Sequence, residues 1–148
     1  MTELATATRS LVVERLMPHP PEKIWRALTQ APLLEQWLMK NDFQPIVGRR
    51  FNFRADPIPH WNGVTDCEVL AVEPNRRLSY SWNASGDEAA TGITTTVTWT
   101  LTPTEGGTHL RLEQSGFRHG NDDLFYQGAG HGWRKMLAGL ERVAAGLS

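Results

Sequence analysis

The side chains able to carry acid–base, nucleophilic or metal chemistry are few, and their spacing does not assemble a site. Five histidines are present. None stands in His-x-x-x-His, Cys-x-x-Cys or His/Glu helix spacing, the patterns that bring ligands together on one face. The nearest approach to a metal set is His119, Asp122, Asp123 and His131. The first three share a short stretch that reads as a solvated loop, and His131 falls on the polar side of a helix, so no metal is expected. Ser115-Gly116 lacks the flanking glycines of a nucleophile elbow and follows an antiparallel strand. Gly128-Ala129-Gly130-His131-Gly132 resembles a phosphate cradle in composition only. No strand precedes it and no lysine is spaced as in a P-loop, so it reads as the close-packed start of a helix. Cys67 alternates with Val69 and Ala71 and is expected to be a buried small residue rather than a reactive thiol. No catalytic residue and no cofactor are assigned.

The aromatic residues offer a different chemistry. The chain holds six tryptophans. Taken singly, Trp25, Trp82, Trp99 and Trp133 read as core. Taken together, rigid aromatic walls around one long helix suit the grip of an apolar ligand, because such pockets are apolar with few polar groups. The candidate lining is Phe51, Phe53, Tyr80, Trp82, Val97, Trp99, Leu112, Trp133 and Leu137. Gln114 shares parity with Leu110 and Leu112. It either points inward as a polar anchor or is a strand-end amide facing water; strand parity leaves both open.

The elements that must position these residues follow from periodicity. Residues 10–17 are rich in branched apolar side chains and stop at Pro18, which predicts a first strand. Pro21 at a helix start, with Glu22 beside it, predicts a helix over residues 21–30. Leu33, Leu34, Trp37 and Leu38 predict a second short helix after Pro32. Alternation then takes over. Phe51 and Phe53 mark strand two, with a turn at residues 56–63. Residues 65–73 make strand three, and Leu78, Tyr80 and Trp82 give strand four an aromatic face. A polar loop spans residues 83–92. Beyond it Thr94, Thr96, Thr98 and Thr100 alternate with Ile93, Val97, Trp99 and Leu101, and Leu110 and Leu112 mark the last strand after a tight turn at Glu105-Gly106-Gly107. From Tyr126 to Leu147 apolar residues recur at about 100° per residue, the mark of a long amphipathic helix. This order predicts an α+β chain: a curved antiparallel sheet of five to six strands around a long C-terminal helix, with two short helices after strand one. Bulky aromatics at the strand centres are expected to hold sheet and helix apart.

Composition bounds what this fold does. A length of 148 residues suits one domain, placed at residues 8–148 with a flexible N-terminus at 1–7. The formal net charge is −1, from 15 basic and 16 acidic residues spread along the chain. The densest basic points, Arg49-Arg50 and Arg76-Arg77, make no stripe for a phosphate backbone, so no nucleic acid partner is expected. One cysteine excludes an intrachain disulfide and fits a reducing compartment, hence the cytoplasm. No stretch is continuously apolar enough to cross a bilayer, so no membrane partner is expected. Asn83-Ala84-Ser85 matches a glycosylation acceptor by chance.

Four segments in order resemble the family of homologues of the activator of heat-shock-protein-90 ATPase, within the START-like (SRPBCC) superfamily. They are VVERLMPHPPEKIWRAL; Leu34 with Trp37; Gly63 through Trp82, carrying Glu68-Val69-Leu70, Glu73-Pro74 and Arg77-Leu78-Ser79-Tyr80-Ser81-Trp82; and Gly107-Thr108-His109-Leu110 with Ser115-Gly116-Phe117 and Gly132-Trp133. The resemblance implies a helix-grip fold, often with a hydrophobic cavity, but no single chemistry. Where many relatives carry a second tryptophan this chain has Leu38, and where many have His-Ser-Gly it has Gln114-Ser115-Gly116. The leading expectation is a binding protein for a small hydrophobic molecule. The alternatives are a cyclase- or hydrolase-like enzyme acting on an apolar substrate and, by family analogy alone, a chaperone-regulating module linked to stress response. A homodimer is common enough to expect.

Overall fold

Proline and alternation decide where the first elements begin and end. Strand β1 (Thr8–Met17) gives way at Pro18 to helix α1 (Pro21–Thr29), whose Pro21 sits where a missing N–H costs nothing. Glu22 lies in its first turn and pairs with Arg26 at 3.3 Å. Helix α2 (Ala31–Trp37) follows at once, and the Trp37 indole N–H donates to the Ala27 carbonyl at 2.9 Å, tying the two short helices together. The computed structural model describes residues 8–57, 61–84, 93–120 and 122–147. The N-terminus at 1–7, residues 58–60 of the expected turn and residues 85–92 of the expected polar loop, with Ser85 of the glycosylation triplet, lie outside the described residues.

Strands β2 (Lys40–Asn41), β3 (Arg50–Arg54), β4 (Val64–Glu73), β5 (Arg77–Ala84), β6 (Ile93–Thr104) and β7 (Gly107–Arg118) complete an antiparallel sheet. Its order is β1-β7-β6-β5-β4-β3-β2, so the first strand pairs with the last. Seven strands replace the five to six expected; the addition is β2, two residues too short to show alternation. Helix α3 (Asp123–Ala145) lies across the concave face. Its Leu137, Leu140 and Ala144 are buried, and the Arg15 Nε of β1 donates to the Glu141 carboxylate at 2.8 Å. This is the helix-grip arrangement.

Two bulges set the register of the inward face. Gly116 is the extra residue of β7: Arg9 pairs with Phe117 and Ser10 with Ser115. Its φ of 100° suits glycine, and a Cβ there would stand 3.3 Å from the Thr94 carbonyl. The bulge reverses parity, so Gln114 and Phe117 both turn inward. In β4 the extra residue is Leu70, which lies exposed between Val69, paired with Tyr80, and Ala71, paired with Ser79. Ala71 therefore leaves the inward row of Cys67 and Val69 to which alternation had assigned it.

Candidate functional site

The register brings the candidate residues into rows on one face. Tyr80, Val97 and Gln114 stand side by side across β5, β6 and β7, and Leu78, Trp99 and Leu112 form the next row. Phe51 and Phe53 continue the face on β3, while Trp133 and Leu137 descend from α3. All ten are buried except Trp82, which is partly exposed. The Gln114 alternative is thereby resolved: its side chain is inward and 1% exposed.

The rings touch rather than stand apart. Edge-on contacts join Trp37 to Trp99 at 6.0 Å and Trp99 to Trp133 at 5.6 Å between centroids. Trp82 then meets Trp133 at 5.2 Å and Phe53 at 5.4 Å, and Phe51 meets Phe53 at 5.4 Å. The expectation that bulky aromatics would space sheet from helix is corrected by this chain of contacts, whose T-shaped members follow the ring quadrupoles. Surface cavities border this fold. One of about 530 Å³ runs over the outer face of β3, β4 and β5 and is lined by polar residues including Asp42, Asn52, Asp66 and Asn83. Another, about 280 Å³, lies between β1 and α3. Phe51 borders the first and Leu137 the second.

Each buried indole N–H has a destination. Trp99 Nε1 donates to the Tyr80 hydroxyl at 2.9 Å. Trp133 Nε1 donates to Gln114 Oε1 at 2.8 Å, Gln114 Nε2 donates to Thr95 Oγ1 at 2.9 Å, and Thr95 Oγ1 donates to the Trp82 carbonyl at 2.9 Å. This relay links helix, last strand and aromatic wall without a charge. Burial pushes the Tyr80 phenol well above its ordinary pKa, with the Trp99 hydrogen bond opposing the shift. The Cys67 thiol is raised far above its usual range by burial first, then by Asp66 and Asp42. Both groups stay protonated at neutral pH.

Sequence reasoning missed three members of this interior. Thr95 has the parity of Val97 and Trp99, but its hydroxyl hid it among the outward threonines. Phe43, at 4.9 Å from Phe51, sits in a segment without periodicity. Phe117 lies beyond the bulge. The loop expected to hold His119, Asp122 and Asp123 is also different in kind. Asp122 is fully buried and accepts from the Arg118 backbone N–H at 2.6 Å and from the Arg118 guanidinium, while Asp123 pairs with Arg9. No group of three or more metal-ligating side chains gathers among the described residues.

The helix start was expected to be close-packed because of its glycines. At Gly128 and Gly132 a Cβ would meet nothing within 4 Å, and at Gly130 it would make ordinary contacts with the Leu11 and Arg134 side chains at 3.5 and 3.6 Å. Close approach applies at Gly139, where Trp37 Cβ would stand at 3.3 Å. In a helix interior each glycine costs about 1 kcal/mol relative to alanine.

A seven-stranded antiparallel sheet closed around a C-terminal helix, its concave face walled with aromatics, defines the START-like class. The family model described as Activator of Hsp90 ATPase homolog 1-like protein matches residues 18–145, and the chain belongs to that family. Among solved structures, the protein MLL2253 from Mesorhizobium loti is 55% identical, with 95% of this chain and 99% of that one covered and a TM-score of 0.86. The Aha1 dimer from Colwellia psychrerythraea is similar at 23% identity, covering 90% and 93%, with a TM-score of 0.73. DynU16, from the dynemicin biosynthetic locus, is 24% identical over 93% of this chain and 47% of its own, with a TM-score of 0.73. No curated protein matches the chain. Among the described residues no helix is long and apolar enough to cross a membrane.

Proposed function

We propose that residues 8–148 work as one unit that binds a small, neutral, largely apolar molecule between the sheet and α3. The observation that carries this reading is the relay from Trp133 through Gln114 and Thr95 to the Trp82 carbonyl, an uncharged polar strip set in an aromatic wall. Such a strip orients an apolar guest by a hydrogen bond, while the rings supply the contact area. Phe51, Phe53, Tyr80, Trp82, Val97, Trp99, Leu112, Trp133 and Leu137 form the wall and Gln114 is the anchor. The same interior favours binding over a cyclase- or hydrolase-like reaction. Its titratable groups, Tyr80 and Cys67, are held neutral, so they lack the matched acid and base that proton transfer needs. The setting of DynU16 in a biosynthetic locus adds a small-molecule context for the fold. The chaperone-regulating alternative rests on the family's name. By analogy with the Colwellia dimer, this chain is taken to pair with a second copy. Its lone buried thiol fits the cytoplasm.

Native mass spectrometry of freshly purified protein, with titration by the neutral dye N-phenyl-naphthylamine, tests the reading. Saturable dye fluorescence that quenches tryptophan emission and weakens in Trp82→Ala supports it. A bare chain mass together with no saturable dye binding overturns it.

A further inference from the structure

We propose that residues 123–132 form a strap that bows off the sheet to admit a ligand to the interior, yielding at Gly128 and Gly132 and clasped by Arg9. The role in admission rests on the binding reading above; the motion does not. Trp133, at the C-terminal end of this strap, is in ring contact with Trp82 and Trp99, so bowing of the strap bears directly on the aromatic wall.

Helix α3 is anchored unevenly. Behind Gly132, Trp133, Leu137, Leu140 and Ala144 are at most 5% exposed. Ahead of it Gly130 is buried against Leu11, but Phe125, Tyr126 and Ala129 are only partly buried, and Gln127 and Gly128 face solvent. No neighbour requires glycine at Gly128 or Gly132, since added methyl groups would meet open space. What the two glycines contribute is a helix that opens easily.

The clasp comes from the edge strand. The Arg9 guanidinium lies 3.8 Å from the centre of the Tyr126 ring and pairs with Asp123, and Tyr126 rests edge-on against Phe117 at 5.3 Å. The Arg9 and Asp123 side chains are 31% and 47% exposed, so salt reaches the pair. Arg9 Nε is buried without a partner, which offsets part of the attraction. The ends of the strap are fixed by Asp122, held by Arg118, and by Trp133, held by Gln114. Bowing between them would uncover the Trp133 edge of the relay while the rest of the core stays shut.

Amide hydrogen exchange of the full chain tests the motion without a ligand. Residues 124–132 should exchange well ahead of 134–145. Gly128→Ala with Gly132→Ala should slow the strap about twenty-fivefold, about fivefold for each glycine, and leave 134–145 unchanged. Arg9→Ala should speed the strap about fivefold. Raising salt from about 50 mM to about 500 mM should also speed it in the wild type, a comparison that needs no variant. Equal protection of the two segments, or no slowing in the double variant, overturns the strap. Slowed exchange with unchanged association of N-phenyl-naphthylamine overturns its role as the entrance. Failure of the dye to bind while exchange behaves as expected counts against the binding reading alone.

Discussion

Replacing Gln114 by glutamate keeps the shape of the relay and adds one titratable proton to a site that is 1% exposed. A protonated carboxyl can still accept from Trp133 Nε1 and donate to Thr95, so the variant should resemble the wild type in acid. Below pH about 4.3 the introduced group is protonated in both states and adds no pH dependence. Above that, the unfolded chain releases the proton freely while the folded chain holds it, because burial raises a carboxyl pKa. Each further pH unit then costs the folded state about 1.4 kcal/mol, until the folded pKa is passed. Full burial raises such groups by up to about 3–5 units. The Trp133 N–H stabilises the anion, so about 2–3 units is the working figure, giving a loss of about 3–4 kcal/mol by pH 8. With a urea slope of about 2 kcal/mol per molar, the midpoint of Gln114→Glu should fall about 1.5–2 M below wild type at pH 8 and converge with it near pH 4.5. Gln114→Leu, which leaves the Trp133 N–H without a partner, should lose about 1–3 kcal/mol at every pH. A glutamate-minus-wild-type difference that stays flat from pH 5 to 8 would show that the side chain titrates in water and would dismantle the relay.

Two other outcomes follow from buried groups. Trp99→Phe leaves the Tyr80 hydroxyl without its donor and should lose about 2–4 kcal/mol from the missing bond and the cavity together; adding Tyr80→Phe should restore about 1 kcal/mol in a double-mutant cycle read by urea unfolding. Cys67, buried and with its thiol pushed far up, should react with an aromatic disulfide at pH 8 only as fast as the chain opens, so thiol labelling in mild denaturant should track unfolding.

What the sequence reveals and what it hides have separable physical causes. The β6 alternation and the α3 stripe were legible because each repeats one period over many residues beside a buried face. That was sufficient for the fold and for the nine apolar or aromatic candidates on the inner surface, while Gln114 was left open between inside and outside until its burial decided it. The bulges at Leu70 and Gly116 were not legible, because an inserted residue reverses parity without changing composition; Ala71 was misjudged and Phe117 missed for that reason. Thr95 escaped because its inward hydroxyl is satisfied only by partners on β5 and β7, a tertiary fact. Asp122 looked solvated since nothing local announces that Arg118 folds back on it. Open space around Gly128 and Gly132 is likewise invisible to spacing rules.

The pairing of β1 with β7 also has a consequence for how the chain is made. Val13 lies opposite Leu112, so β1 waits for β7, the last strand of the sheet, before its hydrogen bonds can close. The strands from β3 to β7 can zip neighbour to neighbour as they emerge, but the edge nearest the N-terminus stays open, with Leu11, Val13 and Met17 uncovered. Closure of so long a loop is slow relative to local pairing, and an unfinished chain presents a bare strand to its neighbours. Ribosome-bound chains ending before residue 107 should therefore be the aggregation-prone form, and the emergence of β7, rather than any local helix, lets the sheet close.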